Sequence, residues 1–529
     1  MKTNPRLIAF LLSAALLLAA CSSQATAASI VPEGTVPAGM QPGQLTGLAG
    51  CEYQPQGGKV RYPAECGTLT VSENWDKAGS RLIALPVVRI KASGSSRAEP
   101  VFWLEGGPGG TNFTYGPPAW LLEKHDLVIV GYRGVEGSVV LSCPEVSEQM
   151  KTHLGRDLWS EQAEAELVTA SKQCAARLQA AGADLSAYTI PAVVEDMEAA
   201  RTAFGYSSVD LLSVSYGTRV AQIYAYMHPE SIHRSAMVAL NTPGHFLYDP
   251  AVLDKMIAHL GELCAKDAAC SSRTTDLAQA IYTVNHNMPK RWLVFPIDPD
   301  TIRLGSHFLL ASNQNVGTLA DAYLAAAHGD PSGLALANLI TSTSSALGAT
   351  VYGELFSIGA STDLEKYHGI ESISLGNSIL GAPIAEWTWG MAAEWPITMI
   401  PKELREFQES DVDMLLVNGT IDFATPPTAL EEAKPYWHQA QFVLLPEMSH
   451  VSDVMILQPA AWERLLTSYY DTGVADSSLY VYQPVSFKPG MRLPMLAKLL
   501  VAAVILVPAL IVLIIVLVVR RVGRRPSAR

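Results

Sequence analysis

Ser215 sits where an apolar run, Val209 to Val214, breaks into Ser213-Val214-Ser215-Tyr216-Gly217 and a stretch of small residues begins. A tight strand-to-helix turn of this kind lifts the central serine above a sheet and aims a helix amino terminus at it. Small neighbours are needed because backbones crowd there. Ser215 is therefore a candidate nucleophile for acyl transfer, with Ser213 standing where glycine is usual. A serine needs a base, and the base needs an orienting carboxylate. Met414 to Asn418 leads into Gly419-Thr420-Ile421-Asp422, and Phe442 to Leu445 leads into Pro446-Glu447-Met448-Ser449-His450. Nucleophile, acid and base arrive in the order Ser215, Asp422, His450, each just past an apolar run. A further run, Val101 to Leu104, precedes Glu105-Gly106-Gly107-Pro108-Gly109-Gly110. Such a loop lets a backbone N–H approach a developing oxyanion, and the amides of Gly107 and Tyr216 are the predicted donors. The dinucleotide spacing GxGxxG and its later acidic partner are not in place.

These groups need a scaffold that holds strand ends side by side. Short, wholly apolar runs alternating with helical stretches predict a mostly parallel central sheet with helices on both faces. Residues 191–204 read as an amphipathic scaffold helix. Alternating runs between Cys51 and Ala92 predict an antiparallel hairpin at a sheet edge. The interval 244–395 lacks strand alternation and reads as an inserted helical lid between core segments 46–243 and 396–473. Residues 21–45 form a flexible leader and 474–496 a juxtamembrane connector.

Taken with Tyr132-Arg133-Gly134-Val135-Glu136-Gly137-Ser138, Asn418 to Pro427 and Met448-Ser449-His450, these motifs resemble α/β-hydrolases of the proline iminopeptidase and tripeptidyl aminopeptidase type, which are secreted bacterial serine exopeptidases. The resemblance runs from about Cys51 to Thr472. It implies the α/β-hydrolase fold, an acyl-enzyme on Ser215, and a lid that encloses a peptide amino terminus. Glu105 occupies the place of the His in HGGPG, Gly131-Tyr132 replaces Asp-Gln, and Ser213 replaces Gly, departures that bear on substrate more than mechanism. Arg133 and Glu136 read as structural ties beneath the site. An aminopeptidase must pair a protonated amine with a carboxylate. Glu105, Glu386 and Glu394 are the candidates, the last two lying among Trp387, Trp389 and Trp395 where the lid ends. An esterase or lipase acting on small esters uses the same triad, and a non-catalytic surface binding protein is the remote alternative.

The ends address the chain. Lys2 and Arg6 precede an apolar run through Ala20, the layout of a secretory signal over 1–20. Leu18-Ala19-Ala20-Cys21 resembles a bacterial lipobox, which would lipidate Cys21; Ala25-Thr26-Ala27 would instead serve an ordinary signal peptidase and discard it. Leu499 to Val519 is uncharged and about 31 Å long as a helix, so a membrane span is predicted over 497–519. Arg520, Arg521, Arg524, Arg525 and Arg529 follow in the tail 520–529, which puts the carboxyl terminus in the cytoplasm and the catalytic part outside, at a bacterial cytoplasmic membrane. Eight basic residues fall in the signal segment, the terminal helix and the tail; the exported remainder sets 29 Lys and Arg against 50 Asp and Glu, a net charge near −21. Such a surface repels nucleic acid and suits neutral or cationic substrates. The partners read from the sequence are thus a peptide or small ester and the membrane. Setting Cys21 aside, six cysteines in an oxidising compartment favour disulfides, and proximity suggests Cys51 with Cys66, Cys143 with Cys174, and Cys264 with Cys270. No CxxC or HExxH pattern occurs, so neither a catalytic metal nor a cofactor is expected.

Overall fold

The computed structural model describes residues 35–95, 97–246, 249–344, 348–363, 369–392, 394–396 and 398–522. The predicted signal peptide, Cys21 and the tail beyond residue 522 lie outside the described residues. A nine-stranded sheet is built from β1 (Gln44–Tyr53), β2 (Tyr62–Ser72), β3 (Leu82–Ile90), β4 (Val101–Leu104), β5 (Leu127–Val130), β6 (Val209–Val214), β7 (Ile232–Val238), β8 (Met414–Gly419) and β9 (Ala440–Leu445). Its order is β1-β2-β3-β5-β4-β6-β7-β8-β9. The first three strands are antiparallel and β3 meets β5 antiparallel; from β5 to β9 every pairing is parallel. This is the α/β-hydrolase fold.

The parallel strands β4, β5, β6 and β8 are buried at every residue, which is why they carry no alternation. Strand β7 escapes a reading by apolar runs because His233, Arg234 and Ser235 interrupt it; only its second half is apolar and wholly buried. The predicted edge hairpin is a three-stranded meander.

Helices α1 (Pro144–His153) and α2 (Glu161–Ala180) leave the sheet; α3 (Ile190–Phe204) and α4 (Tyr216–Met227) return to it. Val193, Met197 and Ala200 of α3 and Val220 and Ile223 of α4 fill the core on one face of the sheet. The lid contains α5 (Pro250–Lys266), α6 (Leu277–His286), α7 (Pro299–Leu310), α8 (Val316–Ala327), α9 (Ser332–Ser342), α10 (Tyr352–Asp363) and α11 (Pro383–Ala392). Helices α1 and α2 share a core with Leu304, Tyr352 and Trp395, so the cap over the sheet is assembled from two separate stretches of chain. After β9 come α12 (Val451–Ile456) and α13 (Pro459–Thr472), whose Trp462, Leu465 and Tyr469 cover the opposite face. The last helix, α14, runs Leu493–Val522. It starts four residues before the predicted span because Pro494 sits in its first turn, where a missing N–H costs no hydrogen bond.

Disulfides join Cys51 to Cys66, Cys143 to Cys174 and Cys264 to Cys270. The second ties α1 to α2; the third closes the end of α5.

Candidate active site

Strand order reverses beside β4: the chain goes from β4 outward to β5, then crosses to β6 on the other side. In open α/β sheets the crevice at such a switch point, outside the carboxyl ends of the strands, is where ligands bind. Glu105 to Gly107 follow β4 and Ser215 follows β6, so both flank that crevice.

Ser215 has φ 51° and ψ −122°, a left-handed conformation rare for a side-chain-bearing residue, which costs on the order of 1–3 kcal/mol. The turn is held by Thr218, whose N–H and hydroxyl both donate to the Ser215 carbonyl at 2.9 and 2.6 Å. The crowding read from the sequence is literal at two glycines. A Cβ on Gly217 would lie 2.1 Å from the Leu104 carbonyl oxygen, and one on Gly106 would lie 2.7 Å from Ser215 Cβ. Ser213, where glycine is usual, is buried and donates to the Ala236 carbonyl at 3.2 Å, so its extra hydroxyl is satisfied by β7.

Asp422 is fully buried and its carboxylate is saturated with donors. Oδ1 accepts from Ala424 N and Thr425 N at 2.9 and 2.8 Å, and Oδ2 from Thr425 Oγ1 at 2.7 Å. His450 Nδ1 lies 3.0 and 2.8 Å from the two oxygens. An ionised carboxylate only accepts, so Nδ1 carries the proton and Nε2 keeps a lone pair. The loop that carries His450 is held from the lid side: Ala311 O accepts His450 N at 3.2 Å and Leu310 O accepts Ser449 Oγ at 2.6 Å. Among the described residues His450 makes no hydrogen bond to Ser215 Oγ. Such bonds are often long in a free enzyme and tighten on substrate. His307 of α7 lies near His450, and burial lowers its pKa to about 4, keeping a second positive charge out of the site.

In the glycine loop the Gly106 N–H is taken by Glu105 Oε1 at 2.8 Å. Gly107 turns at φ 66°, and among the described residues neither its N–H nor that of Tyr216, in the first turn of α4, has an acceptor. The loop is anchored from three sides. Asn112 Nδ2 donates to the carbonyls of Trp103 and Val130. Glu136 accepts from Tyr132 N and Asn112 N at 2.7 and 3.2 Å. Glu354, fully buried on α10, accepts from Gly109 N. Burial pushes the carboxyl of Glu136 up to about 7 and that of Glu354 up to about 8. Glu354 and Thr425 were not singled out by motif; the sequence signal for Glu354 is an acid in a stretch, Tyr352 to Thr362, with no other charged residue.

The three acids proposed for a substrate amine part company. Glu105 is half-buried at the site, its pKa raised by burial to about 7 against the opposing pull of the Gly106 N–H and, more weakly, of the nearby His450; its second oxygen accepts from the Thr114 hydroxyl. Glu386 is buried and spent on Arg303, Oε2 to Nη1 at 2.8 Å. Glu394 is exposed, 3.6 Å from Lys172. Glu386 is not free to receive an amine, because the lid's own Arg303 occupies it, whereas Glu394 sits at the surface in a weak, solvent-exposed contact with α2; Trp389 and Trp395 are lid core. Arg133 is fully buried, forks onto Asp196 at 2.7 and 2.6 Å and donates to backbone carbonyls, a tie beneath the site. At the opposite, amino-terminal end of β6, Glu99, Asp210 and His233 cluster within 4.8 Å, but His233 Nδ1 already bonds Asp210 at 2.8 Å.

No protein-family model matches the chain. Among curated proteins it is similar to a tripeptidyl aminopeptidase of Streptomyces lividans, 27% identical over 39% of this chain and 42% of the relative. The serine protease Hip1 of Mycobacterium tuberculosis is 27% identical over 46% of this chain and 49% of the relative. The matches thus span about half the length of these relatives. Among solved structures, a serine hydrolase from Cycloclasticus zankles aligns with 78% of this chain and 100% of its own at 13% identity and a TM-score of 0.34, which adds nothing to the topology above. Fold and relatives together support a hydrolase.

Proposed function

We propose that the chain is an extracytoplasmic, membrane-anchored serine hydrolase that releases residues from peptide amino termini through an acyl-enzyme. The observation that carries this reading is the buried Asp422 paired with His450 Nδ1 beside a serine held in a strained turn at the switch point. Ser215 Oγ attacks the scissile carbonyl while His450 Nε2 takes its proton. The carbonyl oxygen, now negative, is held by the Gly107 and Tyr216 amides, donors worth roughly 3–4 kcal/mol each. His450 passes its proton to the leaving amine, and water activated by the same nitrogen releases the acyl group. Asp422 stays ionised and holds the ring.

The peptide preference is supported by the similarity to a tripeptidyl aminopeptidase and by Glu105, the acid that remains beside the nucleophile. A second reading, an esterase of small neutral esters, is favoured by the engagement of Glu386 with Arg303, which takes the most deeply buried of the three acids away from a substrate amine. The predicted span lies in α14, the one helix among the described residues long and apolar enough to cross a membrane, with a mean hydropathy of 3.5; as a tether it would hold the catalytic part outside.

The test is turnover of free-amine aminoacyl anilides, amino-blocked anilides and nitrophenyl esters by the purified chain. Free anilides should turn over at least tenfold faster than blocked ones, and Glu105→Gln should narrow that ratio while sparing ester cleavage. Equal rates on free and blocked substrates would replace the peptidase reading with the esterase one. Ser215→Ala should abolish labelling by a fluorophosphonate and lower turnover about 10⁴- to 10⁶-fold; undiminished labelling would remove Ser215 from the mechanism.

A further inference from the structure

A cavity of about 710 Å³ lies away from Ser215, between lid helices α7, α8 and α9 and the chain that enters α14. That volume is within the usual range for small-molecule sites, about 300–1,000 Å³. Leu319 and Ala322 of α8, Leu334 and Ala337 of α9 and Leu493 of α14 form its apolar walls. The polar groups on its inner wall are already engaged, while Gln314, Asn315, Thr341 and Ser344 make up the rest of its polar lining. Tyr323 OH bonds Ser306 Oγ and Asn285 Oδ1, both at 3.0 Å, and Thr318 Oγ1 accepts from Met491 N at 3.2 Å. Apolar side chains make up most of the lining, and a hydrocarbon chain fits such walls without needing a polar partner.

The cavity reaches the surface at Phe308, Ile340 and Met491, which are 44%, 50% and 50% exposed. These continue into the exposed apolar flank of α14, from Met495 and Leu499 onward. The junction is built rather than loose. Lys498 Nζ lies 2.5 Å from Asp330 Oδ2, and Asp330 Oδ1 accepts from Ser332 Oγ at 2.6 Å, with the Pro494 carbonyl 3.3 Å from the same hydroxyl. A Cβ on Gly333 would fall 2.8 Å from the Pro494 ring. With α14 in a bilayer, the lid is thereby fixed with its cavity at the membrane surface, and α9, itself a short apolar helix, sits beside the mouth.

We propose that this cavity takes an acyl chain of a phospholipid from the leaflet that α14 enters. The proposal rests on the membrane-spanning reading of α14 given above. It also connects the bilayer to the catalytic loop. Leu309 lines the cavity, and the next two residues of the chain supply the carbonyls that hold Ser449 and His450. An acyl chain filling the space beneath α7 supports the position of those carbonyls, so the lid acts as a lipid-loaded brace for His450.

The experiment uses the full chain in phosphatidylcholine nanodiscs doped with a phosphatidylcholine that bears a diazirine in one acyl chain. After irradiation, peptides carrying Leu309, Ala322 or Met491 should be cross-linked along with peptides from 499–519. The double variant Ala322→Trp, Ala337→Trp should lose at least fivefold of the cavity cross-linking and keep that of the helix. Leu319→Gln, which adds a polar group rather than bulk, provides a second variant should the first not fold, and should also reduce cavity labelling. If the helix is labelled and the cavity is not, or if filling the cavity leaves its labelling unchanged, the acyl-chain site is overturned while the membrane span stands. If neither is labelled, the spanning reading fails and this proposal falls with it.

Discussion

Glu354 makes the shape of the stability curve against pH a direct test of the loop's construction. Its carboxyl is fully buried on α10, one oxygen accepts from Gly109 N, and the other, like the Tyr216 hydroxyl, has no hydrogen-bond partner among the described residues. Burial raises its pKa from 4.5 to about 8, with the nearby Glu136 adding to the rise. In the unfolded chain the group ionises near its ordinary value. Between about pH 4.5 and 8 the folded state therefore holds a proton that the unfolded state has released, so stability falls as pH rises through that window. The slope is about 1.4 kcal/mol per pH unit, and the ceiling over the window is about 4 to 5 kcal/mol. Glu136 and Glu105, both raised to about 7, bend the curve the same way, so the contribution of Glu354 is isolated by difference. Glu354→Gln keeps an oxygen for Gly109 N and never ionises. Urea midpoints of the full chain in detergent micelles, followed from pH 5 to 9, should nearly coincide for the two proteins at pH 5. By pH 8.5 the variant should be the more stable by about 2 to 4 kcal/mol, after allowing for its effect on Glu136. A difference that stays constant across the range would mean that Glu354 is ionised in the folded chain at neutral pH, and the burial argument would be wrong.

Asp422→Asn should lower kcat about 10⁴-fold, equivalent to about 5.5 kcal/mol, because an amide facing Nδ1 favours the tautomer with the proton on Nε2; a loss under tenfold would detach Asp422 from the base. Gly217→Ala should leave little folded, active protein, since its Cβ would meet the Leu104 carbonyl, whereas Gly261→Ala in α5, with nothing nearer than 3.7 Å, should stabilise by about 0.5–1 kcal/mol; thermal melts that rank the two the other way would contradict the packing. Glu386→Gln should cost about 3 kcal/mol by stripping a charge from buried Arg303, which keeps Asp300, and should leave the ratio of free to blocked anilide turnover unchanged; a shifted ratio would return Glu386 to the substrate.

What the sequence determined by itself is what short-range chemistry determines. The turn at Ser215 could be read because only small residues fit where the strand ends and the helix begins, and Gly106 and Gly217 show the two backbones in contact. The strand end before Asp422 was legible because a strand buried on both faces is apolar for four residues and then stops, and the one before His450 because the edge strand β9 still carries the apolar run Phe442 to Leu445 although it is only partly buried. Neighbouring cysteines, 15, 31 and 6 residues apart, reach each other through short loops. Strand β7 was hidden because half of it is polar, and helices α1 and α2 could not be assigned to the cap because amphipathicity says that a face is covered without saying by what. The fate of the acids was decided only in three dimensions. Glu386 meets Arg303 across 83 residues and Glu354 meets Gly109 across 245. A carboxylate among tryptophans looks the same in sequence whether it waits for a substrate amine or is already paired, because the choice depends on which distant cation the packing of the lid brings within 3 Å.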